Sequence, residues 1–454
     1  MVFYGSHNNP KLEMRNYVTY EVKYGRTHTL RSNPFERSGY TFIGWALTED
    51  GPVVYEENQR VKNLTDNGKL IDLYAVWQRV TIVPGATLYD KLVWLNANAL
   101  SGQDYTVEVT SNESISPTTL SKSSTAFSVT LKGITELRTI SLSTNGSLFT
   151  VGSGVTLILD ENICLQGRAN NTEPLIQVNT NGTLVMNTGS QVIGNTATSD
   201  GGGIRVEGGT FTMNGGTISG NTVSSVTGSA SGGGVYITAG TTQTGGTGSG
   251  TFTMNGGTIS NNTISSVTST AHGGGVYIDS GTFTMNGGTI SGNTATASVS
   301  TASGGGVYLA YGRTLVMNNG AISGNTASAT ASIAYGGGVY GGTEVIIAIS
   351  GGAISGNTAS GFTNAWGGGV YVDDSGSSVS RFTKTAGSIT GYATDPATGN
   401  KAWDSSANTE MGSANGHAVY IYNSNSSYVK HKETTAGSGG NLVYNRTSSS
   451  GAWD

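Results

Sequence analysis

Short apolar runs alternate with Thr, Ser and Tyr along most of this chain, and the runs recur. One unit reads Val276-Tyr277-Ile278, then Thr282-Phe283-Thr284-Met285, then Thr289-Ile290-Ser291. A period of two predicts strands with one face buried. Val276 and Ile278 then share an inward face, Phe283 and Met285 a second, and Ile290 supplies a third. Tyr277, Thr282 and Thr284 point outward. A Gly-Gly-Gly-aliphatic signature begins at Gly201, Gly232, Gly273, Gly304, Gly336 and Gly367, in steps of 31, 41, 31, 32 and 31 residues. The long step holds a Gly/Thr stretch over residues 241–250, which reads as a loop insertion.

Three strands with Gly corners make one triangular coil. Its five buried side chains stabilise by roughly 1.5–3 kcal/mol each. Ordering the backbone costs about 1–2 kcal/mol per residue over some 31 residues. A lone coil therefore cannot stand, and stacked coils sharing a core can. The pattern predicts an all-β chain, a right-handed parallel β-helix. Roughly ten coils at about 4.8 Å each give a rod about 50 Å long.

The rod ends need cover, because an open terminal coil is a free strand edge. Leu88, Leu92, Leu95 and Ala99 fall at helical spacing, so residues 87–100 predict an amphipathic helix across the N-terminal end. At the other end Val419-Tyr420-Ile421-Tyr422 reads as a last strand. The charged run Lys430-His431-Lys432-Glu433 is expected to discourage further pairing. Asn195, Asn221, Asn262, Asn293, Asn325 and Asn357 recur after the third strand. They fit either an amide ladder along the axis or turn residues in the left-handed region.

Residues 1–78 are richer in charge and aromatics. Gly39-Tyr40-Thr41-Phe42-Ile43-Gly44-Trp45, Asp50-Gly51 and Leu73-Tyr74-Ala75-Val76-Trp77 resemble the Listeria–Bacteroides repeat, a small β-grasp-like module of bacterial surface proteins. The family's Asn-Gly-Gly turn is missing, and Gly5-Ser6-His7-Asn8-Asn9 stands where it would be. Trp45 and Trp77 read as core anchors. The later repeats, Gly-Gly-Gly-Val-Tyr and Ile-Ser-Gly-Asn-Thr, resemble β-helix repeats of surface proteins of spirochaetes and gut anaerobes. They are more distantly similar to autotransporters and polymorphic outer membrane proteins. The ending Ser450-Gly451-Ala452-Trp453-Asp454 carries no membrane barrel. The expected organisation is a β-grasp-like module at 1–78, a capping helix and first strands at 79–150, β-helix repeats at 151–430, and a tail at 431–454. The resemblances imply a cell-surface or secreted bacterial protein.

Composition narrows the chemistry. The 454 residues include 70 Gly, 7 Pro and 11% charged residues, with net charge −5. Collagen is excluded by the absence of a Gly-X-Y period, and a nucleic-acid partner lacks a basic surface. No run is long enough for a transmembrane helix. Met1-Val2-Phe3-Tyr4-Gly5 does not open a signal peptide, so a fragment or mature form is expected. Cys164 reads as a buried small hydrophobe. No metal site, phosphate loop or cofactor motif is visible.

A β-helix enzyme needs paired carboxylates with a neighbouring base or cation. Between Gly201 and Ser360 the charged residues are Arg205, Glu207, Asp279, Arg313 and Glu344, and they do not recur at the coil step. Asp373-Asp374 and the insert over 392–416, with Asp395, Lys401, Trp403, Asp404 and Glu410, are the alternative. They would serve a polysaccharide lyase or glycoside hydrolase. Lys384 falls in the inward Met slot and is expected to reach solvent from the rod end. Thr210/Thr212, Thr251/Thr253 and Thr282/Thr284 form an outward array that breaks at Leu315-Val316. It resembles ice-binding β-helices, although Thr is a common exposed strand residue. Tyr236, Tyr277, Tyr308, Tyr340 and Tyr371 occupy one outward position in successive coils, after Arg205 and before Tyr420. They could stack sugars or simply stack on one another. With Trp403 and Asp404 they are the candidate contacts to a glycan or a host surface protein. The expectation is a non-catalytic adhesin-like or display rod.

Overall fold

The computed structural model describes residues 2–4, 17–35, 37, 40–66, 69–79, 82–122, 125–241, 246–376, 378–392, 396–411, 415–423, 430–432 and 442–444. Gly5 to Asn9, Gly39, Asp395, Glu433 and the ending Ser450 to Asp454 lie outside the described residues.

Three long sheets run side by side along a parallel β-helix. The first, the Phe sheet, takes in Gln103–Val109 at one end and Arg381–Lys384 near the other. The second, the Ile sheet, runs from Glu113–Ile115 to Ser388–Ile389. The third, the Tyr sheet, runs from Thr118–Leu120 to Val419–Tyr422. Val235, Val276 and Val307 are parallel neighbours in direct register, so equivalent side chains stack as the alternation requires. Phe211, Phe252 and Phe283 stack at 4.6 Å inside the core. Met213, Met254, Met285 and Met317 form the next buried column.

The coil is not a plain triangle. Between the Ile-sheet strand and the Tyr-sheet strand of the coil, two further strands lift an arm off the rod. One is Thr294–Ala297 in an eight-stranded sheet, and the other is Ala302–Ser303 in a five-stranded sheet. They enclose a second core of Ala295, Ala297, Ala302, Ala327, Ala329, Ala334, Ala359 and Ala365, with Val223 and Ile264 at its start. Small side chains carry a weak hydrophobic signal, so the Thr-Ala-Thr-Ala alternation does not stand out as a strand with a buried face. The 241–250 insertion is a small antiparallel hairpin pairing Gly240–Thr241 with Thr247–Gly248.

The recurrent asparagines form the amide ladder. Each is fully buried, and Asn293 Nδ2 donates to Asn325 Oδ1 at 2.9 Å and to the Ile259 carbonyl at 2.9 Å. The left-handed residue at this corner is the one before, Gly292 or Asn261, so the ladder asparagines do not serve the turn. Asn400, inside the 392–416 stretch read as an insert, extends the ladder by one more coil. A second, exposed ladder joins Asn214, Asn255, Asn286 and Asn318 at the Phe–Ile corner.

Helix α1, Leu88–Asn98, caps the N-terminal end, with Thr87 as N-cap in a capping box with Asp90. Its buried Leu88, Leu92 and Leu95 cover the first coil. The C-terminal end differs from expectation. Lys430–Lys432 does not block pairing: it lies antiparallel on Val419–Tyr422. Leu442–Tyr444 closes the Phe sheet the same way on Arg381–Lys384. Antiparallel strands can finish an edge without starting a new coil. Lys384 consequently does not reach solvent. Its exposure is 0%, its strand neighbour is Leu442, and burial lowers the ammonium pKa. Cys164 is buried, which pushes its thiol up.

In the N-terminal module a mixed four-stranded sheet places Val2–Tyr4 parallel to Asp72–Arg79, which pairs antiparallel with Tyr40–Ala46. Trp45 is its buried centre, and Phe42 sits edge-on between Trp45 and Trp77.

Candidate functional site

The outward Tyr column meets the arm at a sharp re-entrant corner made by the Gly triplets. Gly273 has φ +71°, and a Cβ there would lie 2.6 Å from the Val276 carbonyl oxygen. No other residue type fits such a turn. The corner swings the last residue of each short arm strand over the Tyr column. His272 lies 4.4 Å from Tyr308 and Tyr335 lies 4.8 Å from Tyr371, centroid to centroid. Trp366 stacks on Tyr335 at 5.4 Å and approaches Tyr420 at 6.1 Å. The result is a trough along the rod axis. Its floor is the tyrosines and one wall is the arm. The other wall is the position two residues beyond Arg205 and each Tyr, where Glu207, Thr238, Asp279, Ala310, Gly342 and Asp373 stand in turn.

The tyrosines are not fully exposed rings. Tyr236, Tyr277, Tyr308, Tyr340, Tyr371 and Tyr420 stack face to face at 4.7–5.7 Å. Tyr371 is only 4% exposed. Interior ring faces are used on each other, so a sugar cannot stack on them. What remains for a ligand is a row of ring edges and phenol hydroxyls, one per coil. Burial, with nearby carboxylates, raises these phenols: Tyr236 and Tyr308 to about 12 and the others in the same direction. They stay protonated donors near neutrality.

Polar groups gather at the N-terminal half of the trough. Asp200 heads the arm-side column. Burial raises its carboxyl pKa, opposed by a hydrogen bond to Ser231 and by Arg205. The Arg205 guanidinium lies 5.6 Å from the Tyr236 ring centroid and 3.8 Å from Glu207. Thr238 donates to Asp279 Oδ2 at 2.9 Å. His272 is held neutral by burial, its pKa lowered to about 4. Its Nδ1 has no hydrogen-bond partner, and neither has Arg205 Nε.

Trp403 and Asp404 are not part of this trough. Lys401–Asp404 continues the eight-stranded arm sheet, pairing Trp403 with Ser360. Ala402 faces the alanine core, so Trp403 faces away from it, on the side opposite the trough. Asp404 accepts from Ser406 and Ala407 and nucleates a turn into the hairpin strand Thr409–Glu410, which lowers its pKa. Asp374 is buried and accepts from the Ser380 amide, Asn423 Nδ2 and Tyr444 Oη, the last at 2.5 Å. It ties the C-terminal segment down. Among the described residues of the 373–410 region, Asp373 lies on the Tyr sheet, Asp374 is tied to the C-terminal segment, and Asp404 and Glu410 sit on the hairpin of the arm sheet. Among the described residues no cluster of three His, Cys, Asp or Glu is placed to hold a metal. No helix is long and apolar enough to cross a membrane.

The Thr array is longer than its sequence suggests. Leu315 takes the inward slot of Phe283, so Thr314 continues the column Thr183, Thr210, Thr251 and Thr282. The second column breaks at Val316 and the first one coil later, at Ile346. Asp200, His272, Tyr335 and Trp366 were missed by sequence reasoning. The signal was available: each sits immediately before a Gly triplet. No family model matches the chain, and no curated protein or solved structure is similar to it.

Proposed function

We propose that this is a non-catalytic bacterial cell-surface or secreted rod that binds an extended glycan along its tyrosine trough, in adhesion or display. One observation carries the reading. Six stacked tyrosines run parallel to the rod axis, with His272, Tyr335 and Trp366 packed along their arm side. A pyranose chain carries hydroxyls on every residue, and a hydroxyl row repeating each coil, about 4.8 Å, offers partners at comparable intervals. A rigid scaffold holds these groups without ordering cost on binding. The surface location rests on the sequence resemblances.

The test is a glycan array followed by titration calorimetry on Tyr277→Phe/Tyr308→Phe. Phe keeps the ring stack and removes two hydroxyls, each contributing about 1 kcal/mol. Affinity should fall about tenfold or more while the melting temperature holds. Undiminished affinity in that variant would remove the trough as the binding site. Glycan cleavage that disappears in Asp373→Asn would replace the non-catalytic reading with an enzymatic one.

A further inference from the structure

We infer that the glycan taken by the trough is cationic, a glucosamine polymer with free amino groups; this rests on the glycan reading above and adds its charge. The trough is rich in acceptors and poor in cations. Asp200 and Glu207 belong to its first coil, Asp279 follows two coils later and Asp373 three coils beyond. At about 4.8 Å per coil the carboxylates are spread over roughly 25 Å of path, at intervals of two and three coils, so an extended polycation can meet several of them at once. Two cations lie along the trough among the described residues: Arg205, engaged by Glu207 and Tyr236, and Arg313, whose Nε donates to the Asp279 carbonyl at 2.6 Å. A polyuronate or sulfated chain would meet four carboxylates against two guanidiniums, both already engaged, and would be disfavoured.

His272 supplies a second, independent observation. Its ring is packed against Tyr277 and Tyr308, and Nδ1 has no partner. A buried polar atom without a partner costs free energy. A neutral imidazole packed against the Tyr277 and Tyr308 phenols can take a hydrogen bond from an ammonium or hydroxyl. Cationic ligands also gain from the field of several like charges in a concave, partly desolvated path.

The experiment titrates the full chain with glucosamine hexamer, N-acetylglucosamine hexamer, galacturonic acid hexamer and hexalysine at moderate salt. Glucosamine hexamer should bind about tenfold or more tighter than the acetylated form, and the galacturonate should not bind. Asp279→Asn and Asp373→Asn should each weaken the glucosamine hexamer about threefold or more and leave the acetylated form unchanged. Asp404→Asn, on the far side of the arm, should change neither. Equal binding of both amino-sugar hexamers, or an Asp279→Asn and Asp373→Asn pair without effect, would overturn the charge preference and leave the glycan reading intact. Hexalysine binding as tightly as glucosamine hexamer would overturn the sugar assignment as well. Binding of no saccharide, with the array also blank, would remove the glycan reading itself.

Discussion

At the scale of residues, the two asparagine columns separate cost from ornament. Asn293 lies in the dark interior of its corner, accepts from the Asn262 amide and side chain, and donates to Ile259 and Asn325. Asn293→Ala strands partners on both neighbouring coils, and a buried orphan costs about 1–3 kcal/mol. Urea melts should show a loss of about 2–4 kcal/mol for Asn293→Ala. Asn286→Ala, in the exposed ladder, should stay within about 0.5 kcal/mol of the parent. His272 gives a pH signature. Its folded pKa of about 4 lies below the ordinary value of about 6.5. Between those values the unfolded chain binds the extra proton, so stability is complete above about pH 6.5 and declines as pH falls toward 4. The loss is at most about 3 kcal/mol. Asp200, shifted upward, works in the opposite direction, so the readout is the difference between parent and His272→Phe. That variant should lose the decline over this window in melts taken at stepped pH.

Elements differ in how tightly their partners approach. The main core takes Phe, Met, Ile and Val in stacked columns and tolerates modest trimming, so Ile290→Val should cost about 1 kcal/mol. The arm core is lined by alanines from two short sheets around Ala327, while Val223 and Ile264 fill the same column nearer its start. Ala327→Leu should cost more than Ile290→Val, about 1–3 kcal/mol or beyond, measured by the same melts. The arm is a thin element, yet it forms one wall of the trough. Its loosening should therefore weaken glycan binding as well as stability.

The whole molecule is a rod whose two ends are closed by different devices. Helix α1 covers the first coil, and antiparallel strands cover the last. Removing residues 430–454 frees the edges of Val419–Tyr422 and Arg381–Lys384 and deletes the Tyr444 hydroxyl that Asp374 accepts. Free strand edges pair with other chains. Light scattering should then show mass rising with concentration in the truncated chain, at concentrations where the parent does not change. A truncated chain as monodisperse as the parent would mean that these strands do not protect the end.

The sequence by itself determined the repeat, the inward columns and the N-terminal helix. Alternation and coil spacing are local signals, and Val235, Val276 and Val307 needed only register to become neighbours. It also marked the Tyr column as outward. Only the tertiary structure decided what outward means there. The Gly corner folds the arm back over Tyr308 and Tyr371, a bend that depends on contacts between coils. Alanine gives too little hydrophobic contrast to announce a second core. The fate of Lys384, Asp374, Trp403 and Asp404 was settled by partners on strands far away in sequence, such as Tyr444, and no local pattern encodes which distant segment will cover an end.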